Sequence, residues 1–230
     1  MNPDRVSPLT VAVDAGSLVD GFLRDLGLVV DVYAEAVPRL MPSVRRPDAA
    51  SSASLLHAAE TYARLGWRIH PLRPREKTPL LRGWPDVATS DVETIRGWWR
   101  QWPDANVGVV TGPKSGIVVI DIDGNAGEAS LAELENRFGK LPATCEQRTG
   151  RGRQLFYAYP AGRTIRNTTN LGGFKGVDVR GDGGYVVAPP SIHPNGKTYV
   201  WNPLSDPTGG CQLAELPLWT ATPEIVEAES

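Results

Sequence analysis

Cysteine is scarce in this chain of 230 residues, which holds only Cys145 and Cys211, far apart and without CxxC spacing. Two isolated thiols and three histidines do not make a zinc ribbon, and nothing here suggests the disulfide framework of a small secreted protein. A single bridge between the two cysteines stays open. Long apolar runs are also missing. No stretch approaches the roughly 18 residues a membrane span needs, and the N-terminus has no basic segment ahead of an apolar core. The expectation is a cytoplasmic chain without a membrane partner. Charge of one sign is lacking too: the formal net charge of −2 excludes a uniformly basic coat for nucleic acid.

What is present is an ordinary globular composition, 41% hydrophobic and 22% charged, in a chain long enough for one well-buried domain plus extensions. The charges are unevenly placed. Between Glu146 and Arg180 lie seven basic residues against two acidic ones, and from Arg64 to Arg82 six against one. After Trp201 every charged residue is an acid. Local basic patches on a near-neutral body suit a phosphate-bearing partner at one site. A solvated mixed surface would have the same composition.

The chain is organised around Ile117–Gly124, IVVIDIDG. Four consecutive apolar residues read as a buried strand that delivers Asp121 and Asp123 and stops at Gly124. Alternation along a strand sends both carboxylates from the same face. Paired carboxylates repel unless a cation lies between them, and hard oxygen ligands suit Mg²⁺ or Mn²⁺. A polar strand end in water would leave the same trace. The DxD pattern also occurs in glycosyltransferases, and DxDG resembles the nucleophile motif of dehalogenase-like phosphatases. Here Asn125 and Ala126 follow the motif, about half the chain precedes it and no adjacent acidic pair comes later, all of which disfavour the phosphatase.

Around that strand the pattern predicts a helix from Ser54 stopped by Gly66, a strand over Trp67–Leu72, and a basic loop around Lys77. A Ser90–Glu93 capping box opens a second helix, whose Trp98, Trp99 and Trp102 recur at helical spacing and read as packing. Asn106–Val110 reads as a strand, and the turn TGPKSG, carrying Lys114, precedes the central strand. A helix over Glu128–Phe138 and a hairpin of Thr144–Arg148 with Gln154–Tyr159 follow it. A looser segment with Arg166 and Asn167 then leads to strands around the turn Gly181–Gly184, and Asn195-Gly196 marks a last hairpin. Strands separated by helices, followed by clustered hairpins, predict an α+β domain with a mixed sheet over 54–220. Residues 1–53 read as an extension with a weak helix and a linker, and 221–230 as an acidic tail.

Two further pieces bear on chemistry. Asp178, between Val177 and Val179, is a strand position whose face Arg180 shares, and it runs into a glycine turn that lets backbone approach a ligand. Asp121, Asp123 and Asp178 on two strands would hold two divalent ions. TGRGR, Thr149–Arg153, offers backbone N–H groups at Gly150 and Gly152 together with Arg151 and Arg153, a pairing that suits phosphate oxygens but equally describes a solvated hairpin tip.

From Leu55 to Trp201 the ordered pieces AAETYARLGW, KTPLLRGW, ATSDVETIRGWW, ANVGVVTG, VVIDIDG, TGRGRQLFY, GVDVRGDGGYVVAPPS and HPNGKTYVW resemble the bifunctional DNA primase/polymerase domain. This is a branch of the archaeo-eukaryotic primase superfamily found in replication proteins of plasmids, phages and mobile elements. The resemblance implies a palm-like sheet related to the RNA-recognition fold, preceded by a smaller α/β element. It implies metal-binding roles for Asp121, Asp123 and Asp178, and a place near the incoming nucleotide for Arg151, Gly152, Arg153, Gln154 and Arg180. Lys77, Lys114 and Arg166 are candidates for nucleic-acid or phosphate contact. The implied partners are single-stranded DNA template and primer, a dNTP or NTP, and a separately encoded replicative helicase. One departure stands out. The family's second motif usually presents a histidine where this chain has Gln154, and glutamine can donate a hydrogen bond but carries neither proton nor charge. Two readings follow: a primase/polymerase, or a module that keeps the fold and binds nucleotide or primer–template DNA without synthesis.

Overall fold

The computed structural model describes residues 52–221. The weak helix expected near Gly21–Leu40, most of the linker after it and the acidic tail lie outside these residues. Helix α1 (Ser52–Arg64) starts two residues ahead of the expected Ser54. It buries Leu55, Ala59, Tyr62 and Ala63 along one face, and Gly66 ends it at φ +86°. Trp67 then stacks between Tyr62 and Phe156, with ring centroids 5.6 and 5.8 Å away. Strand β1 (Ile69–Leu72) is buried at every position. The basic loop after it carries a short helix, α2 (Trp84–Val87), entered through Gly83 at φ +65°.

Helix α3 (Val92–Gln101) corrects the expected capping box: Asp91, not Ser90, is the cap, accepting the Thr94 N–H at 2.8 Å. Glu93 is turned away to Arg96, at 2.6 Å. The tryptophans of α3 pack as expected. Trp99 is buried and donates to the Ala105 carbonyl, while Trp98 and Trp102 are partly buried against the same core.

Two sheets follow from the remaining strands. The smaller has the order β1, β2 (Asn106–Val110), β7 (Tyr185–Ala188), antiparallel throughout. The larger runs β6 (Val177–Arg180), β3 (Ile117–Ile122), β5 (Arg153–Ala158), β4 (Cys145–Arg148), β8 (Val200–Trp201), all antiparallel neighbours. A short β9 (Ala214–Glu215) adds to β5 in parallel. The protein is therefore α+β with mixed pairing. Helix α4 (Gly124–Phe138) begins four residues earlier than the pattern suggested, directly behind Asp123.

The alternation of β3 divides the interior in two. Ile117 and Val119 join α1, α3 and the smaller sheet in one apolar cluster; Val118, Ile120 and Ile122 join α4, through Leu131 and Leu134, in another. Asp121 continues the first row at the point where the apolar cluster ends. Among the described residues no helix is long and apolar enough to cross a membrane.

Candidate active site

Strand register assembles the site. Asp121 lies directly opposite Asp178 on β6 and, on its other side, opposite Gln154 on β5. Gln154 in turn faces Gln147 on β4. Residues paired across antiparallel strands share a face, so Asp178, Asp121, Gln154 and Gln147 form one polar row. The middle of the row, Asp121 and Gln154, lines a cleft of about 330 Å³ whose lining also includes Lys77, Trp84, Arg180 and Tyr199.

Asp123 lies one residue beyond β3, but its backbone is still extended (φ −102°, ψ 104°), so it keeps the alternation begun by Asp121. It stands at the N-cap of α4 and yet its side chain caps nothing. The carboxylate is left to Arg151, 3.9 Å away, and its side chain is 57% exposed against 22% for Asp121 and Asp178. Asp178 accepts the Asn170 N–H at 2.9 Å and the Arg180 guanidinium at 2.8 Å; the same guanidinium nitrogen lies 3.8 Å from Asp121.

Burial raises the pKa of Asp121 above the ordinary carboxylate value, and the charge of Asp123 adds to this. The Gln154 amide and the charges of Arg180 and Lys77 pull it back. Three hard-oxygen donors reaching one end of a sheet have the chemistry a magnesium or manganese ion requires. Among the described residues, no three acidic, imidazole or thiol groups are gathered closely enough to hold an ion, and Arg180 stands beside both strand carboxylates as the resident cation.

Gln154 is buried, and its side-chain oxygen accepts from the Gln147 amide at 2.5 Å. Gln147 also donates to the Val187 carbonyl at 2.8 Å, which ties the larger sheet to β7 of the smaller one.

The TGRGR loop is built differently from a phosphate cradle. The Arg151 and Gly152 N–H groups both donate to the Thr149 hydroxyl, at 3.2 and 3.0 Å. Its glycines serve close packing: a Cβ on Gly152 would run into the Ile122 carbonyl oxygen, and one on Gly150 into the His193 ring. His193, which the sequence places far from this loop, is buried behind it. Its Nδ1 accepts the Asn195 N–H at 3.1 Å, the Asn195 side chain donates to the Gly150 carbonyl at 2.9 Å, and burial lowers the imidazole pKa.

Arg153 leaves the sheet on the opposite face from Gln154, as neighbours on a strand must, and pairs there with Glu128 at 2.7 Å and Glu146 at 3.1 Å. It is not in the cleft. Arg151 is 66% exposed at the hairpin tip and, among the described residues, its guanidinium pairs with Asp123 alone. Lys114 is tied to the α2 turn, donating to the Pro85 carbonyl at 2.5 Å with Asp86 at 3.8 Å. Arg166 is exposed outside the cleft lining, on a segment bridged to Asp182. Lys77 does line the cleft.

Trp84, Tyr185 and Tyr199 also line it, and no residue-by-residue reading singled them out. The signal for Trp84 was an aromatic residue closing the basic loop. Tyr199 is 2% exposed, no hydrogen bond to its hydroxyl is formed among the described residues, and the charges of Asp121 and Asp123 act on it.

Fold and site together define a two-sheet α+β domain with an acid-floored, cation-rimmed cleft. The particular family is given by residues 59–219, which match the family of bifunctional DNA primase/polymerase N-terminal domains, and the chain belongs to that family. Its function is accordingly of the primase/polymerase type. None of the curated proteins matches the chain.

Proposed function

We propose that the domain over 54–220 is a metal-dependent, template-directed nucleotidyltransferase that makes or extends primers on single-stranded DNA. The single observation carrying this reading is the register of the larger sheet, which sets Asp178, Asp121 and Gln154 in one row beneath Arg180 and beside Lys77. Asp121, Asp123 and Asp178 would hold the divalent ions. Such ions, when bound, neutralise the triphosphate and favour attack by a primer 3′-hydroxyl on the α-phosphorus with loss of pyrophosphate. The protein's own part is chiefly positioning and charge. Arg180 exchanges its carboxylate partners for phosphate oxygens, Lys77 adds a second positive charge, and the Gln154 amide, with its oxygen held by Gln147, presents its N–H groups to Asp121 or to phosphate. Template binds through its backbone along basic and aromatic surface. The biological setting proposed is replication of a plasmid, phage or other mobile element in the cytoplasm.

A binding module without synthesis is the second reading. It is favoured by Gln154, which cannot move a proton.

The two are separated by extension of a 5′-labelled primer on single-stranded template with Mn²⁺ or Mg²⁺ and dNTPs or NTPs. Extension that disappears in Asp121→Ala supports the enzyme. No extension by the natural chain, but recovery in Gln154→His, supports the binding module. Failure of both leaves the family assignment standing and removes the catalytic reading.

A further inference from the structure

One wall of the cleft is aromatic and has an unusual backing. The Trp84 ring stacks on His70, centroids 4.7 Å apart and 22° from parallel, and Tyr185 meets both rings edge-on at 4.7 and 5.0 Å. His70 has no accessible surface, and among the described residues neither ring nitrogen has a hydrogen-bond partner of good geometry. The smaller sheet makes room for it, since a Cβ on Gly108 would lie 2.6 Å from Nε2. Burying an imidazole without well-formed hydrogen bonds is unfavourable. Burial pushes its pKa down to about 3, so the ring is a neutral flat plate at physiological pH.

The wall is also anchored. The Tyr185 hydroxyl donates to the Lys77 carbonyl at 2.6 Å, and Lys114 holds the α2 turn through the Pro85 carbonyl. Trp84 is half-buried and lines the cleft, and among the described residues no second ring stacks on it. Asp121, Gln154, Arg180 and Lys77 line the same cleft.

We propose that Trp84, backed by His70 and braced by Tyr185, is the stacking surface for the nucleobase of a nucleoside triphosphate whose phosphates lie toward Arg180 and Lys77. This rests on the reading of the cleft as a triphosphate site. A rigid indole with one face already covered loses little freedom when a base stacks on the other. Every base offers a π-face, so the wall accepts purines and pyrimidines alike and leaves base selection to the template.

The test is calorimetric binding to the full chain, without DNA and with Ca²⁺ in place of the catalytic ion. The ligands are ATP, dCTP and inorganic tripolyphosphate. Trp84→Ala is expected to weaken both nucleotides roughly tenfold or more and to leave tripolyphosphate within about twofold, while Trp84→Phe retains most of the nucleotide affinity. Equal weakening of all three ligands would make Trp84 a structural support and overturn the proposal. So would unchanged nucleotide affinity in Trp84→Ala, or a loss appearing only once single-stranded template is added, which would put the templating base on the indole. Failure of the natural chain to bind even tripolyphosphate would overturn the triphosphate reading of the cleft, and this proposal with it.

Discussion

Gln147 lies at the far end of the polar row, has no accessible surface, and makes the link between the two sheets. Replacing it with methionine keeps its length and most of its volume but removes the amide. Two acceptors then lose their donor: the side-chain oxygen of Gln154 and the carbonyl of Val187. A buried group left without its partner costs about 1–3 kcal/mol. Against this, the side-chain oxygen of Gln147, which has no partner among the described residues, disappears and returns about 1 kcal/mol. The net expectation is a loss of about 1–5 kcal/mol, which for a domain of this size lowers Tm by roughly 2–20 °C. Urea unfolding at neutral pH reads the free energy, with an unchanged m-value showing that the transition stays two-state. Gln154 would also lose the contact fixing its orientation, so nucleotide affinity falls more than in a variant destabilised equally elsewhere. A loss below about 1 kcal/mol would refute the premise that this amide is the necessary link.

Two other outcomes follow from the same structure. Gly150→Ala places a methyl group against the His193 ring, so it destabilises the chain, and much of that loss disappears in a His193→Ala background; a double-mutant cycle should give a coupling of about 1–3 kcal/mol, and strict additivity would mean the loop does not rest on the imidazole. Glu60, largely buried and paired with Arg96 at 2.7 Å and Arg64 at 3.1 Å, has its pKa lowered, first by the Arg96 hydrogen bond. A carboxylate depressed on folding contributes stability above its unfolded pKa and loses it as pH falls through the folded one. Glu60→Gln should therefore cost about 1 kcal/mol at pH 7, after screening at the exposed arginines, and progressively less as pH falls below the ordinary glutamate value; a difference independent of pH would exclude the charge as the cause.

Much of the site was legible because local pattern and local structure coincide there. Four apolar residues ending in DID state a buried strand and its side-chain alternation, and Asp178 between two valines states another. The α+β class followed from the order of such signals, and the ordered motifs carried the family. The expected boundaries shifted where a tertiary contact or a neighbouring side chain competed with the pattern: Asp91 displaced Ser90 as the cap, and α4 began directly at Gly124.

The rest was decided in three dimensions. Which residue of the pair Arg153–Gln154 enters the cleft depends on the register of β5 against β3, a long-range choice that sends one to Asp121 and the other to Glu128. The glycines of TGRGR suited either phosphate or a solvated hairpin tip while the backbone they approach was unknown; folded, they make room for Ile122 and His193. His193, Tyr199, Trp84 and His70 lie up to about 130 residues apart in the chain and come to surround the acidic row, directly or through one another, only when both sheets are assembled. Strand sequence states which side chains share a face, because alternation is local. Which faces meet is a property of pairing and packing between distant segments, and only the tertiary structure supplies it.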